Sequence, residues 1–285
     1  MPKLLLIIFL VLIIVIFAVI TASLVGNYLF NQKVKQELEQ LLAGSGDSVG
    51  QIIEKKDLAG LPLCVQNWLQ YSQIIGKERI TTVYSKQSAQ LRLKENQPWM
   101  PAETEYFYTT NPPGFIWRAK IKAAPLIHIA GRDMFTEGKG NMLIKILSLF
   151  TVADARGEEI DQGTQLRYLG EIVWYPTAAL CDYIKWEEID THSARATMSY
   201  DGLSTSGVFE FNDLGEVTSF SADRYMAVDG KYVLEKWLVT MKDYREFEGI
   251  RVPTRGEVVW RLNTGDFSWY HFELNHIEFN KPVVD

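Results

Sequence analysis

Residues Phe115–Lys122 read FIWRAKIK, with Phe115, Trp117, Ala119 and Ile121 at alternate positions and Arg118, Lys120 and Lys122 between them. A strict two-residue period describes a strand with one face buried and the other solvated. The turn before it, Asn111-Pro112-Pro113-Gly114, supplies one preset and one positive φ. The stretch is therefore one arm of a hairpin whose other arm is Glu103–Thr110. Upstream, TTVYSKQSAQLRLK (Thr81–Lys94) reads as a further strand or hairpin. Downstream, Pro125–Phe135 and Asn141–Val152 flank the Glu137-Gly138-Lys139-Gly140 turn. In the second of these, MLIKILSLF has a periodicity that also allows a helix.

The same grammar returns after Ile184. Strands are expected over Ile184–Ile189, Ala194–Tyr200, Ser204–Asn212, Val217–Asp223, Lys231–Tyr244, Arg251–Leu262 and Asp266–Asn280. They are punctuated by Asp201-Gly202, Asp213-Leu214-Gly215, Asp229-Gly230, Glu248-Gly249 and Thr264-Gly265 at hairpin spacing. Successive hairpins make an antiparallel meander. Its last strands are apolar on both faces: Val233, Trp237, Val239 and Met241 against Tyr232, Leu234 and Leu238, then Phe267, Trp269, Ile277 and Phe279 against Tyr270, Phe272 and Leu274. A sheet with a single buried face does not need this. We expect helices over one face, with the other curving around an apolar space; a two-layer sandwich or a subunit contact is the alternative.

The helical material is limited. Glu158–Tyr183 carries a stripe of Ile160, Leu166, Leu169, Ile172 and Val173, with Pro176 ending or kinking the helix. Pro62 suits the first position of a helix over LCVQNWLQYSQIIG, with Leu63, Val65, Trp68, Leu69 and Ile74-Ile75 as buried candidates and Gly76 as its stop. The fold class is α+β: an N-terminal transmembrane helix, then a large curved antiparallel β-sheet, a half-barrel, with packed helices.

That first helix is Leu4–Gly26, LLLIIFLVLIIVIFAVITASLVG, uncharged and almost wholly apolar up to Thr21. As a helix it rises about 35 Å, enough for a hydrocarbon core of about 30 Å. Thr21-Ala22-Ser23 offers small residues for a signal peptidase, but the apolar run before it is longer than a signal peptide uses. An uncleaved anchor is the preferred reading, with the soluble part extracytoplasmic because the head before the span is so short. Lys3 on one side and Lys33 and Lys35 on the other barely separate the two orientations. Asn31–Ala43 continues as an amphipathic helix with Val34, Leu38, Leu41 and Leu42 on one stripe. Gly44-Ser45-Gly46-Asp47-Ser48 has the composition of a flexible joint. The expected divisions are an anchor at 1–30, a helical linker at 31–57 and a β-rich domain at 58–285.

All 35 acidic residues and 28 of the 29 basic ones lie after residue 30. This acidic balance argues against nucleic acid as a partner. Cys64 and Cys181 lie in no redox or zinc spacing and read best as two separate buried thiols, with pairing as the alternative. His128, His192, His271 and His276 offer no metal spacing, and His271 and His276 fall on opposite faces of one strand. No nucleophile elbow, phosphate loop or dinucleotide fingerprint is present. The acid pairs Glu158-Glu159 and Glu187-Glu188 read as solvated charge.

Several stretches resemble an uncharacterised bacterial family, a domain of unknown function. They are DYREFEGIRVPTRGEVVW (Asp243–Trp260) with Gly265-Asp266-Phe267 and Tyr270, then Leu61-Pro62, Val65 and Trp68-Leu69. NPPGFIWRA (Asn111–Ala119) and Tyr168-Leu169-Gly170-Glu171 with Trp174-Tyr175-Pro176 complete the resemblance, which runs from about residue 58 to the end. The architecture is similar to periplasmic lipoprotein-carrier half-barrels, in which a half-barrel sheet with helices in its mouth holds acyl chains. That similarity implies a fold and no activity; a membrane anchor departs from the free carriers.

The functional expectation is a membrane-anchored binding protein for an apolar ligand, a lipid or acyl chain, on the concave face. Candidate ligand-binding residues are Trp117, Trp237, Trp269, Tyr270 and Phe272. Buried polar candidates are Glu171, Arg118 and His128, with Arg167 at i−4, or a strand arginine such as Arg118 or Arg195, as the partner of Glu171. No cofactor and no metal is expected. The alternatives are an envelope module that meets a protein partner or a second copy, and a hydrolase built on Glu171 with His128 or His271.

Overall fold

The computed structural model describes residues 2–44 and 50–281. Of the expected Gly44–Ser48 joint, all but Gly44 lies outside the described residues. Among the described residues thirteen strands form one antiparallel sheet. In chain order they are β1 (Thr82–Leu91), β2 (Met100–Thr110), β3 (Pro113–Ala124), β4 (Ile127–Thr136), β5 (Lys139–Ile146), β6 (Phe150–Ala155), β7 (Ile184–Asp190), β8 (Ser193–Tyr200), β9 (Leu203–Phe211), β10 (Val217–Val228), β11 (Lys231–Phe247), β12 (Ile250–Leu262) and β13 (Gly265–Phe279). The spatial order is β6-β5-β4-β3-β2-β1-β13-β12-β11-β10-β9-β8-β7, so every neighbour is a sequence neighbour except the central pair β1 and β13. The tight turns follow from residue type. At Asp201-Gly202 and Asp229-Gly230 both central residues have positive φ, the geometry that a two-residue hairpin needs.

Among the described residues three α-helices accompany the sheet: α1 (Pro2–Ala43), α2 (Leu63–Tyr71) and α3 (Glu158–Glu171). The inner face of the curl is filled by α2, α3 and the short 3-10 turns Ile172–Trp174 and Pro176–Leu180, which share the main core with Tyr106, Tyr108, Phe115, Phe209, Phe220 and Phe272. A smaller core lies on the outer face, where Phe30, Val34 and Leu41 of α1 pack on Phe107, Ile116, Ala130 and Leu143. This explains why β3 is apolar at Ile116 as well as at Phe115.

α1 is one uninterrupted helix, so the expected boundary between anchor and linker at residues 30 and 31 falls inside it. It is long and apolar enough to cross a membrane. From Leu4 to Val25 its large apolar side chains touch little of the protein. Two contacts fix where the bare part ends. Ser23 Oγ donates to the Leu147 carbonyl at 2.9 Å. At Gly26 an added Cβ would lie 2.8 Å from the Ser148 carbonyl oxygen and 2.9 Å from the Leu149 side chain. Farther along, Arg132 of β4 pairs with Glu37.

Register then places the hairpin connections. Ile146 stands opposite Ile129, Ile129 opposite Ile121, Ile121 opposite Ala102, Leu91 opposite Met100 and Tyr270, Leu262 opposite Gly265, and Val228 opposite Lys231. The β1–β2, β3–β4, β5–β6, β10–β11 and β12–β13 connections therefore lie at one end of the sheet, the proximal end, where Leu147–Leu149 meets α1. The helices close the opposite, distal end. There Thr177 accepts from the Ile80 amide, Tyr183 donates to the Thr110 carbonyl, and Trp174 donates to the Pro253 carbonyl.

Several expectations need correction. The helix expected to reach Pro176 stops at Glu171, and the next residues tighten into 3-10 turns. MLIKILSLF is neither one strand nor a helix, because Leu147 and Ser148 at positive φ fold it back between β5 and β6. Pro62 sits at the N-cap with extended ψ, Gly76 lies beyond the end of α2, and Leu63 and Ile75 are exposed. Helices and the remaining apolar surface share the inner face rather than dividing the two faces between them. Cys64 and Cys181 are free thiols as expected, but Cys181 is only half-buried.

Candidate functional site

α3 crosses the inner face with Arg167 and Glu171 one turn apart on its sheet-facing side. Arg167 Nε donates to Glu171 Oε1 at 2.9 Å, and Nη1 donates to Asp133 Oδ2 of β4 at 2.7 Å. Tyr108 hydroxyl donates to Glu171 Oε2 at 3.0 Å. The guanidinium also lies 4.9 Å from the Trp117 ring and 5.0 Å from that of Phe115. Burial pushes the Glu171 carboxyl above its ordinary range, and Arg167 and Tyr108 restrain that rise.

A second cation faces the same space. Arg224 of β10 donates through Nε to the Gly163 carbonyl at 3.2 Å and lies 4.9 Å from the Trp237 ring and 5.9 Å from Trp260. Gly163 permits the approach, since an added Cβ there would lie 3.2 Å from Arg224 Nε. Among the described residues no carboxylate lies within salt-bridge reach of Arg224. Burial first, and then the charge of Arg167, lower its pKa to about 10. The sequence signal for this crossing was present in α3: glycines inside a helical pattern mark close approach, and Gly170 likewise admits Phe220.

Toward the proximal end the inner face is apolar and incompletely covered. Met100, Trp117, Ile129, Met226, Leu262, Phe267 and Trp269 pack on the main core yet stay half-buried. Of the residues singled out in the sequence, Trp117 and Trp269 belong to this shelf. Trp237 is buried at its edge beneath Arg224. Tyr270 and Phe272 are core: Tyr270 hydroxyl lies 3.2 Å from that of Tyr106, and Phe272 meets Trp174 edge-on at 5.3 Å.

The polar candidates do not converge. Arg118 is half-buried on the outer face, held by Glu105 and 3.4 Å from Asn31 of α1. His128 lies beside the β5–β6 turn, its Nε2 2.9 Å from Ser148 Oγ, and burial lowers its pKa. His271 stacks on Trp99 at 4.1 Å and faces Glu257 on the outer surface. Neither histidine is joined to Glu171 by a hydrogen bond. Among the described residues no cluster of His, Cys, Asp and Glu suits a metal.

A groove of about 700 Å³ opens on the outer face between β3 and β11. Its rim is charged, with Glu103, Lys122, Lys242, Arg255, Glu257 and Glu273. Sequence reasoning did not anticipate it, because it arises from the bending of strands rather than from any local pattern.

Residues 51–272 match the model of a family of unknown function, DUF6544, and the chain belongs to that family. No curated protein matches the sequence. Three solved structures are similar in fold. One is a domain provisionally assigned to outer membrane lipoprotein sorting, from Vibrio parahaemolyticus, at 8% identity and TM-score 0.44, covering 78% of this chain and 93% of that one. The second is a LolA superfamily protein from Nitrosomonas europaea, at 11% identity and TM-score 0.42, covering 77% and 94%. The third is a DUF1329 family protein from Desulfovibrio piger, at 7% identity and TM-score 0.36, covering 78% and 94%. We take no functional assignment from them.

Proposed function

We propose that this DUF6544 chain is a membrane-anchored, extracytoplasmic binding protein for an apolar ligand, an acyl chain or lipid, held on the proximal inner face of its half-barrel. The observation that carries this reading is the incompletely covered apolar shelf that runs from Trp117, in the middle of β3, to Ile129, Met226, Leu262 and Phe267 toward the end of the sheet where α1 becomes bare. Each methylene that moves from water onto such a surface contributes about 0.8 kcal/mol, so an acyl chain has a clear incentive to lie there. Arg224, stacked on Trp237 and Trp260 with no carboxylate in contact among the described residues, suits the polar end of that ligand.

An uncleaved α1 is part of the reading. Thr21–Ser23 lies inside a continuous helix, and Ser23 is hydrogen-bonded to the β5–β6 turn. Photocrosslinking of the full chain in native membranes with a diazirine-bearing fatty acid tests the proposal. Adducts on shelf residues such as Trp117, Ile129 or Phe267 are expected. Adducts confined to α1 would contradict it.

A further inference from the structure

We infer that the proximal rim of the half-barrel docks on the bilayer surface, so that the apolar shelf opens toward the lipid. The inference rests on the reading of α1 as an uncleaved membrane span. It adds a second membrane contact, made by hairpin tips instead of the helix.

Among the described residues, most of the exposed large apolar side chains outside α1 lie toward that rim; Ile52, Leu63, Ile75, Ile189 and Leu214 lie elsewhere. Leu126 is 89% exposed and Ile127 44% in the β3–β4 tip, and Phe150 is 63% and Val152 55% exposed beside the β5–β6 turn. The β1–β2 connection adds Leu93, and the β10–β11 arm adds Tyr225, Val228, Tyr232, Val233 and Leu234. Single exposed apolar residues need no explanation, but a rim of them does.

Two features favour lipid over a protein partner. In the β10–β11 arm, Tyr232, Val233 and Leu234 are consecutive, so their side chains leave opposite faces of the strand. An arm that is apolar on both faces suits immersion, whereas a protein surface would cover one face. Tyr225 and Tyr232 also have the amphipathic rings that favour the headgroup level.

The height of the rim is set independently by α1. Counted from Leu4, a span of about 30 Å uses about 20 residues, ending near Thr21–Ser23, the first polar positions. Ser23 is bonded to Leu147 of the β5–β6 turn. A turn fixed at that height holds the neighbouring β3–β4 tip near the same plane, because Ile129 and Ile146 are in register.

The test places an environment-sensitive fluorophore on the full chain in liposomes through Leu126→Cys, Val233→Cys, Leu214→Cys or Ile13→Cys, with the unsubstituted chain as labelling blank. Leu126, Val233 and Leu214 are exposed tip or arm residues whose replacement removes little packing, and Leu214 lies in the distal β9–β10 turn. Labels at 126 and 233 are expected to be quenched several-fold more by headgroup-level nitroxide lipids than by aqueous iodide, with the reverse at 214. If the label at 13 is in lipid while those at 126 and 233 stay open to iodide, rim docking is overturned and the anchor stands. Shielding from iodide without quenching by nitroxide lipids would mean a protein or second copy on the rim, which also overturns it. A label at 13 open to water would remove the anchor reading and the docking together.

Discussion

Arg132 of β4, only 1% exposed, is bonded to Glu37 of α1: its Nη2 donates to Oε1 at 3.0 Å, and its Nε lies 2.9 Å from Oε2. Its Nη1 donates to the Asn141 carbonyl at 2.9 Å. The apolar span is therefore continuous with a helix that is riveted to the outer face, not tethered loosely. Whatever holds the span also fixes the orientation of the half-barrel.

Breaking that pair strands a buried guanidinium. We expect Glu37→Ala to destabilise the chain by about 3 kcal/mol, the cost of removing one partner of a buried ion pair. Replacing both residues with apolar ones, Glu37→Leu with Arg132→Met, should recover much of that loss. Urea unfolding of the detergent-solubilised chain measures both; equal losses in the single and double variants would be the wrong result.

Gly26 admits the β5–β6 turn against α1. Gly26→Leu puts side-chain atoms where Ser148 and Leu149 now stand, and overpacking of this kind costs roughly 1–3 kcal/mol. The predicted signature is local: faster amide hydrogen exchange in residues 147–149, with the distal core unchanged. Unaltered exchange there would mean that the junction does not set the height of the rim.

Glu171 gives folding a specific pH dependence. Burial holds its folded carboxyl above the ordinary value of 4.5, so the folded chain keeps a proton that the unfolded chain has released. Stability should therefore fall as pH rises from the ordinary carboxylate range through the folded value. Glu171→Gln, neutral at every pH, should lack this component, so the stability of the wild type minus that of the variant should fall as pH rises across the same window. Urea midpoints across that window provide the check; a difference that grows in the opposite sense would reverse the assignment.

Much of the fold was legible because it is local. The alternation of FIWRAKIK, the Asp-Gly turns and the existence of the strands from Ile184 onward are as their local patterns put them. In β13, however, register shifts break the period, so Phe267, Ile277 and Phe279 share one core with Tyr270, Phe272 and Leu274 instead of facing away from them. The Arg167–Glu171 pair was legible too, since i and i+4 are neighbours on any helix. Other features depend on separations that no local period encodes. Arg132 meets Glu37 across 95 residues, and Arg224 meets Gly163 across 61. Leu147 and Ser148 turn at positive φ in a sequence with no turn residue except Ser148. For the same reason the period puts Tyr270 and Phe272 opposite Phe267 and Trp269, whereas a register shift against β12 brings them to one core.

The central proposal is that the proximal shelf of an anchored half-barrel holds an acyl chain. Its most direct test is native mass spectrometry of the full chain released from membranes, compared with a Trp117→Arg, Ile129→Asp double variant. Lipid around α1 is common to both proteins, so only the difference reports on the shelf. The account predicts a stoichiometric lipid adduct on the wild type that the variant lacks. An identical adduct pattern on both proteins, or a bare wild-type chain, would contradict it.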